Sequence, residues 1–253
     1  MNIAEAIVLA TEEAYENAYV TWFASDALAR RREPGQFVMV HCGGDACEPL
    51  FARPFSYHRV DGDRFALLYT VVGRGTAWLA ARKPGERVRM YGPLGRGIRL
   101  PRERANILLV GGGVGIAPLV DLAEEAVTRG HQVVAMMGAR TARGLLAASA
   151  WPPEVEYVTV TEDGSGGLRG LVTEHVGAYL DWATKLYACG PAPMFAALAA
   201  ALRGNGRRMR PEILMEERMP CGWGMCYGCA IFTRRGVKLC CKDGPRFLLF
   251  DVY

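Results

Sequence analysis

Asn106-Ile-Leu-Leu-Val-Gly-Gly-Gly-Val-Gly-Ile-Ala-Pro118 is the stretch on which the fold turns. Its first five residues form a continuous apolar run, as expected of a strand buried on both faces. A glycine-rich loop follows. Leu119, Leu122, Ala123, Ala126 and Val127 then recur at the i, i+3, i+4 spacing of one buried helix face, and Gly130 ends that helix. Strand, glycine turn and helix together present free N–H groups and a positive dipole end to a pyrophosphate. Gly111, Gly112, Gly113 and Gly115 are therefore candidate dinucleotide contacts. The loop departs from G-x-G-x-x-G, because a count opened at Gly111 and Gly113 ends on Ile116.

Downstream the same alternation continues. Gln132-Val-Val-Ala-Met-Met137, Val155-Glu-Tyr-Val-Thr-Val160 and Lys185-Leu-Tyr-Ala-Cys189 read as strands, with helical segments around 173–180 and 193–202. This pattern predicts an α/β domain built on a doubly wound parallel sheet. Ligands of such sheets bind beyond the carboxyl ends of the strands, which makes Cys189, Gly190 and Pro191 candidate site residues, Cys189 with a possible chemical role. The competing reading of Cys189 is a small core residue. Glu162-Asp163-Gly164-Ser165 reads equally as a carboxylate pair facing a cofactor ribose or as a polar turn.

Upstream the pattern differs. Short apolar runs such as Gln36-Phe-Val-Met-Val40 and Phe65-Ala-Leu-Leu-Tyr-Thr-Val-Val72 are separated by Glu33-Pro34-Gly35, Asp61-Gly62-Asp63 and Lys83-Pro84-Gly85. Many short strands without helices between them predict an antiparallel β-barrel. In it lies an ordered set. Arg53-Pro54-Phe55-Ser56 offers a planar fork of donors and a hydroxyl for phosphate. Leu68-Tyr69-Thr70 can pack and hydrogen-bond a ring. Gly73-Arg74-Gly75-Thr76 can turn backbone N–H groups toward a second phosphate oxygen, and Gly92-Pro93-Leu94-Gly95 closes the segment. The chain thus reads as multidomain: a barrel over 1–101, an α/β domain over 102–210 and a small cysteine-bearing region over 211–253.

In that last region stands Cys221-Gly-Trp-Gly-Met-Cys226-Tyr-Gly-Cys229, followed by Cys240-Cys241. C-x4-C-x2-C…C is the spacing of a plant-type [2Fe-2S] site. Gly222, Gly224 and Gly228 let the backbone wrap an inorganic core closely. Structural zinc usually takes two short knuckles, and one C-x2-C is present. Three cysteines within nine residues do not pair efficiently as disulfides. Of the neighbours Cys240 and Cys241, alternation along a strand would turn only one to the cluster.

Composition narrows the class. A net charge of +4 with scattered arginines leaves no nucleic-acid footprint. The apolar run over 107–120 contains four glycines and is too short to span a bilayer. The first residues lack a basic segment and long apolar core, so no signal peptide is expected. Eight cysteines then suit a reducing compartment, and a cytoplasmic location is expected. His41, His58, His131 and His175 are scattered and suggest no hydrolytic constellation.

The ordered Arg-Pro-Phe-Ser, Gly-x-Gly-Thr and Gly-Pro-Leu-Gly set resembles the FAD-binding barrel of the ferredoxin–NADP⁺ reductase superfamily. Gly111 to Pro118 and Cys189-Gly190-Pro191-Ala192-Pro193-Met194 resemble its nicotinamide loops. With the cysteines, nearly the whole chain resembles the electron-transfer subunits of NAD-dependent (type B) dihydroorotate dehydrogenases. Glu216-Glu-Arg-Met-Pro-Cys-Gly-Trp-Gly-Met-Cys-Tyr-Gly-Cys229 and Cys241-Lys-Asp-Gly-Pro245 are its most specific part.

The resemblance implies three cofactors. A [2Fe-2S] cluster would sit on Cys221, Cys226, Cys229 and Cys241, with Cys240 a bystander. FAD would touch Arg53, Pro54, Phe55, Ser56, Leu68, Tyr69, Thr70, Gly75 and Thr76, and NAD would be the third. It further implies an FMN-containing dihydroorotate dehydrogenase catalytic subunit as partner, in a heterotetramer of two copies of each chain. Electrons would pass from dihydroorotate through cluster and FAD to NAD⁺, in pyrimidine biosynthesis. Related subunits occur in NADH-dependent reduced ferredoxin–NADP⁺ oxidoreductases and sulfide dehydrogenases. A reading from a different class is a non-enzymatic iron–sulfur sensor, which would need neither flavin nor nicotinamide. The short gap before the fourth ligand predicts a trimmed hairpin between Ala230 and Leu239. Part of the region formed by Trp223, Tyr227 and the apolar tail Phe247-Leu-Leu-Phe-Asp-Val-Tyr253 reads as a docking face; the competing reading is a tail that packs on its own barrel.

Overall fold

A computed structural model describes residues 2–43, 50–204 and 209–253. Seven strands make the first sheet: β1 Asn2–Tyr15, β2 Ala18–Ala24, β3 Phe37–Val40, β4 Arg53–Ser56, β5 Arg59–Asp61, β6 Arg64–Thr70 and β7 Arg87–Leu94. Their order is β4-β3-β7-β1-β2-β6-β5, with every pair antiparallel. The two edges of this sheet, β4 and β5, are consecutive pieces of one run, residues 53–61. Tyr57 N–H donates to Gln36 (3.2 Å) on one side and His58 N–H to Ala66 (2.9 Å) on the other. One run of chain thus pairs with β3 at one end of the sheet and β6 at the other, joining the two ends into the expected barrel. Phe23, Val38, Tyr57, Phe65, Leu67 and Met90 fill it.

The second sheet contains β8 Asn106–Gly112, β9 Gln132–Ala139, β10 Glu156–Thr161, β11 Leu168–Arg169, β12 Lys185–Cys189 and β13 Glu212–Leu214. Its order is β11-β10-β9-β8-β12-β13, all parallel, with β16 (Arg246–Leu248) antiparallel on β13. Alternation along β8 sends Ile107 and Leu109 to one face and Leu108 and Val110 to the other. Helix Ala117–Thr128 covers the first face and helix Ala192–Gly204 the second. From β8 the chain winds outward through β9 and β10, then returns to β12. The switch point lies between β8 and β12, where both glycine loops emerge.

The last 40 residues are woven into the rest. β13 and β16 extend the second sheet, and β14 (Ala230–Thr233) with β15 (Gly236–Leu239) forms the expected hairpin. Cys229, Leu239, Cys240 and Cys241 share a core cluster with Phe37, Met39 and Leu94 of the barrel and with Leu186 and Phe195 of the second sheet. One expectation is corrected here. Cys240 and Cys241 begin a helical turn, Cys240–Asp243, rather than sitting in a strand. Asp243 accepts the Leu239 N–H at 2.9 Å and stabilises that turn. The separation of the two thiols survives, because Cys240 Sγ donates to the Met215 carbonyl (3.2 Å).

Barrel and second sheet meet along helix Ala117–Thr128. His58 is 2% exposed and its Nδ1 lies 2.9 Å from the Ala117 carbonyl oxygen. A carbonyl only accepts, so Nδ1 carries the proton. Arg32 pairs with the fully buried Asp121 at 2.6 Å, although neither Asp121 oxygen has a well-aligned hydrogen-bond donor. Arg59 pairs with Glu124 at 2.9 Å.

This seam sets a pH response. Burial lowers His58 from 6.5 to about 4, while the Ala117 contact acts the other way. The unfolded chain therefore binds the His58 proton first, and stability is lost as pH falls from 6.5 toward 4. At about 1.4 kcal/mol per pH unit, the ceiling is about 3 kcal/mol. Asp121, raised by burial to about 7, acts in the opposite direction over an overlapping range. The His58 share is therefore read as a difference: the melting-temperature advantage of the parent chain over His58→Asn is expected to shrink between pH 7 and pH 4. A constant difference would refute it.

Candidate functional site

The Arg-Pro-Phe-Ser run forms β4 because β3 pairs with it residue for residue, Phe37 against Ser56 and Val40 against Arg53. Next to it, Tyr69 at the end of β6 meets Phe55 edge-on at 5.4 Å and shares a 2.8 Å hydrogen bond with Thr21. Between these strands and the second sheet opens a cleft of about 920 Å³. Arg53, Pro54, Phe55, Ser56, Leu68, Tyr69, Thr70 and Thr76 all line it. Gly75 does not; it is buried in the turn behind, where Thr76 Oγ1 accepts the Val72 and Gly73 N–H groups (2.9 and 3.2 Å). The opposite wall is residues 215–220, with Val114 and Ala117.

A second cleft, of about 900 Å³, lies over the carboxyl ends of the parallel strands. Gly112, Gly113, Val114, Arg140, Glu162, Thr173, Pro191 and Met194 are among its walls. Gly111 is packed behind it against Ile116. Gly115 has no room for a side chain: a Cβ there would lie 2.5 Å from the Cys189 carbonyl oxygen. That approach brings the two glycine loops together. Gly190 lines a smaller adjoining cavity with Gly112, Gly115, Glu216 and Tyr253. Thr70 and Val114 line both large clefts, which therefore adjoin at these residues. Asp163 turns away and bonds Ser165, while Glu162 faces the second cleft.

Cys189 is fully buried at the end of β12 and lines neither large cleft. Its thiol points to Glu216 Oε1 at 3.9 Å. Burial raises the Cys189 pKa, and the Glu216 carboxylate adds to the rise. Glu216 itself is raised by the protein walls around it, although its surface opens into the clefts. The sequence places Glu216 at the head of the most specific motif, but assigns it no role.

The cysteine loop is shaped by backbone N–H groups aimed at sulfur. Trp223 N lies 3.4 Å from Cys221 Sγ, Gly228 N 3.4 Å from Cys226 Sγ and Cys241 N 3.4 Å from Cys229 Sγ. Gly222 and Gly224 adopt φ of 69° and 81° to permit this. Burial would raise the Cys221 thiol, but the N–H groups of Trp223, Cys226 and Met225 outweigh it and bring it down to about 6. Cys241 is raised to about 12 by burial and then by its bond to Cys229. The four thiols are thus electrostatic neighbours: Cys226 acts on Cys221, and both Cys229 and Cys221 act on Cys241. Among the described residues no three His, Cys, Asp or Glu side chains form a single-ion site. Four neighbouring thiols at the C-x4-C-x2-C…C spacing, three of them approached by backbone amides, fit a two-iron cluster. Tyr91, missed in the sequence, braces the loop: its hydroxyl donates to the Cys221 carbonyl (3.1 Å) and its ring lies 5.6 Å from Trp223.

The expected docking face is corrected in part. The tail packs on the chain's own second domain: Leu249 is fully buried, Tyr253 meets Phe195 at 5.7 Å, and Arg203 lies over Phe250. Its apolar residues find a surface there. Within the cysteine segment the large apolar groups left exposed are instead Trp223, Met225, Tyr227, Phe232 and Val237, on the ligand loop and its hairpin.

Residues 216–253 match the protein family described as "Iron-sulfur cluster binding domain of dihydroorotate dehydrogenase B", and residues 109–200 match "Oxidoreductase NAD-binding domain". The structure is similar to that of an NADH-dependent reduced ferredoxin-NADP oxidoreductase, with a TM-score of 0.86 at 25% identity, covering 99% of this chain and 90% of that one. A ferredoxin reductase of carbazole 1,9a-dioxygenase shares the fold, with a TM-score of 0.71 at 24% identity over 83% of this chain and 69% of that one. Two curated relatives bear the name "Dihydroorotate dehydrogenase B (NAD(+)), electron transfer subunit". That of Desulforamulus reducens is 39% identical, covering 99% of this chain and 98% of that protein. That of Geobacillus thermodenitrificans is 38% identical, covering 94% and 93%. Two clefts that meet, an amide-lined set of four cysteines and this full-length likeness lead to one conclusion: the chain belongs to the family of dihydroorotate dehydrogenase B (NAD(+)) electron transfer subunits.

Proposed function

We propose that this chain carries electrons between a dihydroorotate-oxidising partner and NAD⁺, with FAD in the first cleft, NAD(H) in the second and a [2Fe-2S] cluster on Cys221, Cys226, Cys229 and Cys241. One observation carries the reading. Residues 215–220 wall the first cleft, and the next residue is the first cluster ligand, while Thr70 and Val114 join that cleft to the second. This adjacency supports a reading in which the three redox sites are neighbours in the order nicotinamide, flavin, cluster.

The residues divide the work. The first cleft lies within the roughly 300–1,000 Å³ usual for small-molecule sites, and its mixed apolar and charged wall fits a flavin. Arg53 supplies a charge-assisted contact to phosphate. Phe55, Leu68 and Tyr69 pack the ring and exclude water, and the Ser56 and Thr70 hydroxyls hydrogen-bond it. Gly75 shapes the turn that presents Thr76. Gly112 and Gly113 take the pyrophosphate at the helix end, with Gly111, Gly115 and Gly190 holding the loops in place. Pro191 flanks the nicotinamide, and Cys189 acts on it only through Glu216. When bound, FAD exchanges a hydride with nicotinamide and single electrons with the cluster, while the protein supplies position and electrostatics.

The partner is an FMN-containing dihydroorotate dehydrogenase subunit that covers the exposed Trp223, Met225, Tyr227 and Phe232 in a heterotetramer. Exposed apolar groups clustered in this way mark interaction sites. The divisions at 101 and 210 are supported by the passage from barrel to β8 and by the cysteine segment starting at β13. No helix among the described residues is long and apolar enough to cross a membrane, and we place the chain in the cytoplasm with its pyrimidine pathway. The likeness to an NADH-dependent reduced ferredoxin-NADP oxidoreductase supports a second reading, in which the same electron path serves a different partner chain.

Three outcomes are expected. Anaerobically purified protein should contain two irons and two labile sulfides, the formula of the cluster; Cys226→Ser should lose them and Cys240→Ser keep them. Zinc without labile sulfide would refute the assignment. Arg53→Ala, which removes a charge-assisted phosphate contact of about 1.5–3 kcal/mol, should be purified with roughly tenfold or greater weakening of FAD binding and unchanged iron, as measured by flavin titration. Lastly, the isolated chain should oxidise NADH with artificial acceptors but not dihydroorotate, and addition of the FMN subunit should yield dihydroorotate-to-NAD⁺ turnover that Cys226→Ser cannot support. Dihydroorotate turnover by the chain alone would contradict the division of labour.

A further inference from the structure

The barrel–helix seam is built on the same run that forms the flavin wall. Residues 53–56 line the first cleft, and His58 and Arg59 follow directly. His58 is buried and bonds the Ala117 carbonyl; Ala117 is the first residue of the helix after the glycine loop and itself lines the first cleft. Three residues before it stands Val114, which lines both clefts. One and two helical turns further on, Asp121 and Glu124 are held by Arg32 and Arg59. Asp121 is fully buried, and a charge placed there costs free energy unless paired. A well-packed apolar contact would have joined the domains without that cost. These polar contacts instead fix the helix in one rotation and one register against the barrel.

We propose that Arg32, His58 and Arg59, gripping Ala117, Asp121 and Glu124, are positioning residues for hydride transfer that set the spacing between the flavin and nicotinamide sites. The inference rests on the cofactor assignment given above. In the step concerned, a hydride leaves C4 of NADH, which becomes NAD⁺, and its proton and two electrons join FAD to give the two-electron-reduced anion. Such a transfer needs reacting atoms about 3–3.5 Å apart, and a displacement of about 1 Å from a remote change costs about 10²-fold in rate. None of the six residues supplies a reacting atom, so the seam's effect is expected in the limiting rate rather than in the chemistry of any one group.

The test uses the full chain loaded with FAD and iron. His58→Phe removes the donor to Ala117, His58→Asn returns a donor near the Nδ1 position, and Glu124→Gln weakens the more accessible pair. Flavin reduction by NADH is followed by stopped flow, with dithionite as a reductant that needs no nicotinamide site. His58→Phe should keep its FAD, its iron and its dithionite rate, bind NADH within about threefold of the parent, and lose roughly tenfold or more of the limiting rate, as a sub-ångström displacement predicts. His58→Asn should recover most of that loss. Glu124→Gln should lose roughly threefold and decides the matter if His58→Phe does not fold. Parent-like limiting rates in the folded variants, or a loss that only tracks lost FAD, would overturn the positioning role alone. A parent chain that binds no flavin would overturn the cofactor assignment, and this inference with it.

Discussion

The end of strand β7 touches the backbone that follows the last cysteine, and the arrangement of the three regions depends on that contact. A Cβ at Gly95 would lie 2.5 Å from Pro245 Cδ and 2.8 Å from the Gly244 carbonyl oxygen, so only glycine allows the approach. Arg96 N–H donates to Gly244 (2.6 Å), and Met215 N–H donates to Pro245 (2.8 Å). Residues 244–245 are thus bonded to the barrel on one side and to the entrance of the cysteine segment on the other. With both ends held, residues 215–220 become a wall of the first cleft, and the ligand loop is set down beside Met39 and Leu94 of the barrel. Glycine at position 95 lets the cysteine segment settle directly against the barrel.

The cysteine segment uses little of its own core. Its stability comes from sharing a cluster of buried residues with both larger domains, which suits a stretch of about 40 residues that could not fold on its own. What it keeps exposed is correspondingly informative. The loop turns N–H groups inward to sulfur and apolar side chains outward to solvent. The inward groups favour thiolate charge, and the outward ones offer a surface that another protein can cover.

Much of this was legible in the sequence where one short motif dictates one geometry. The glycine loop after β8, the Arg-Pro-Phe-Ser strand and the cysteine spacing each specify backbone shape locally, and the structure brings their residues into two joined clefts and one loop. What was not legible depends on long-range packing. Nothing local says that the apolar tail would lie on Phe195 and Arg203 rather than face a partner. Nothing local gives Glu216, Tyr91 or the Asp121 pair a role, because their partners lie 27 to 130 residues away. Cys240 and Cys241 were read with the period of a strand, and a carboxylate four residues after Leu239 made that segment helical instead.

The continuous path from nicotinamide to cluster is tested most directly by anaerobic titration of the isolated chain with NADH, followed in parallel by visible absorbance and low-temperature electron paramagnetic resonance. If the clefts join at Thr70 and Val114 and the ligand loop borders the first of them, NADH should bleach the flavin bands and bring up the signal of a reduced [2Fe-2S] cluster in the same preparation without any partner. Flavin that bleaches while a cluster of accessible potential stays oxidised would show that the path is broken inside this chain.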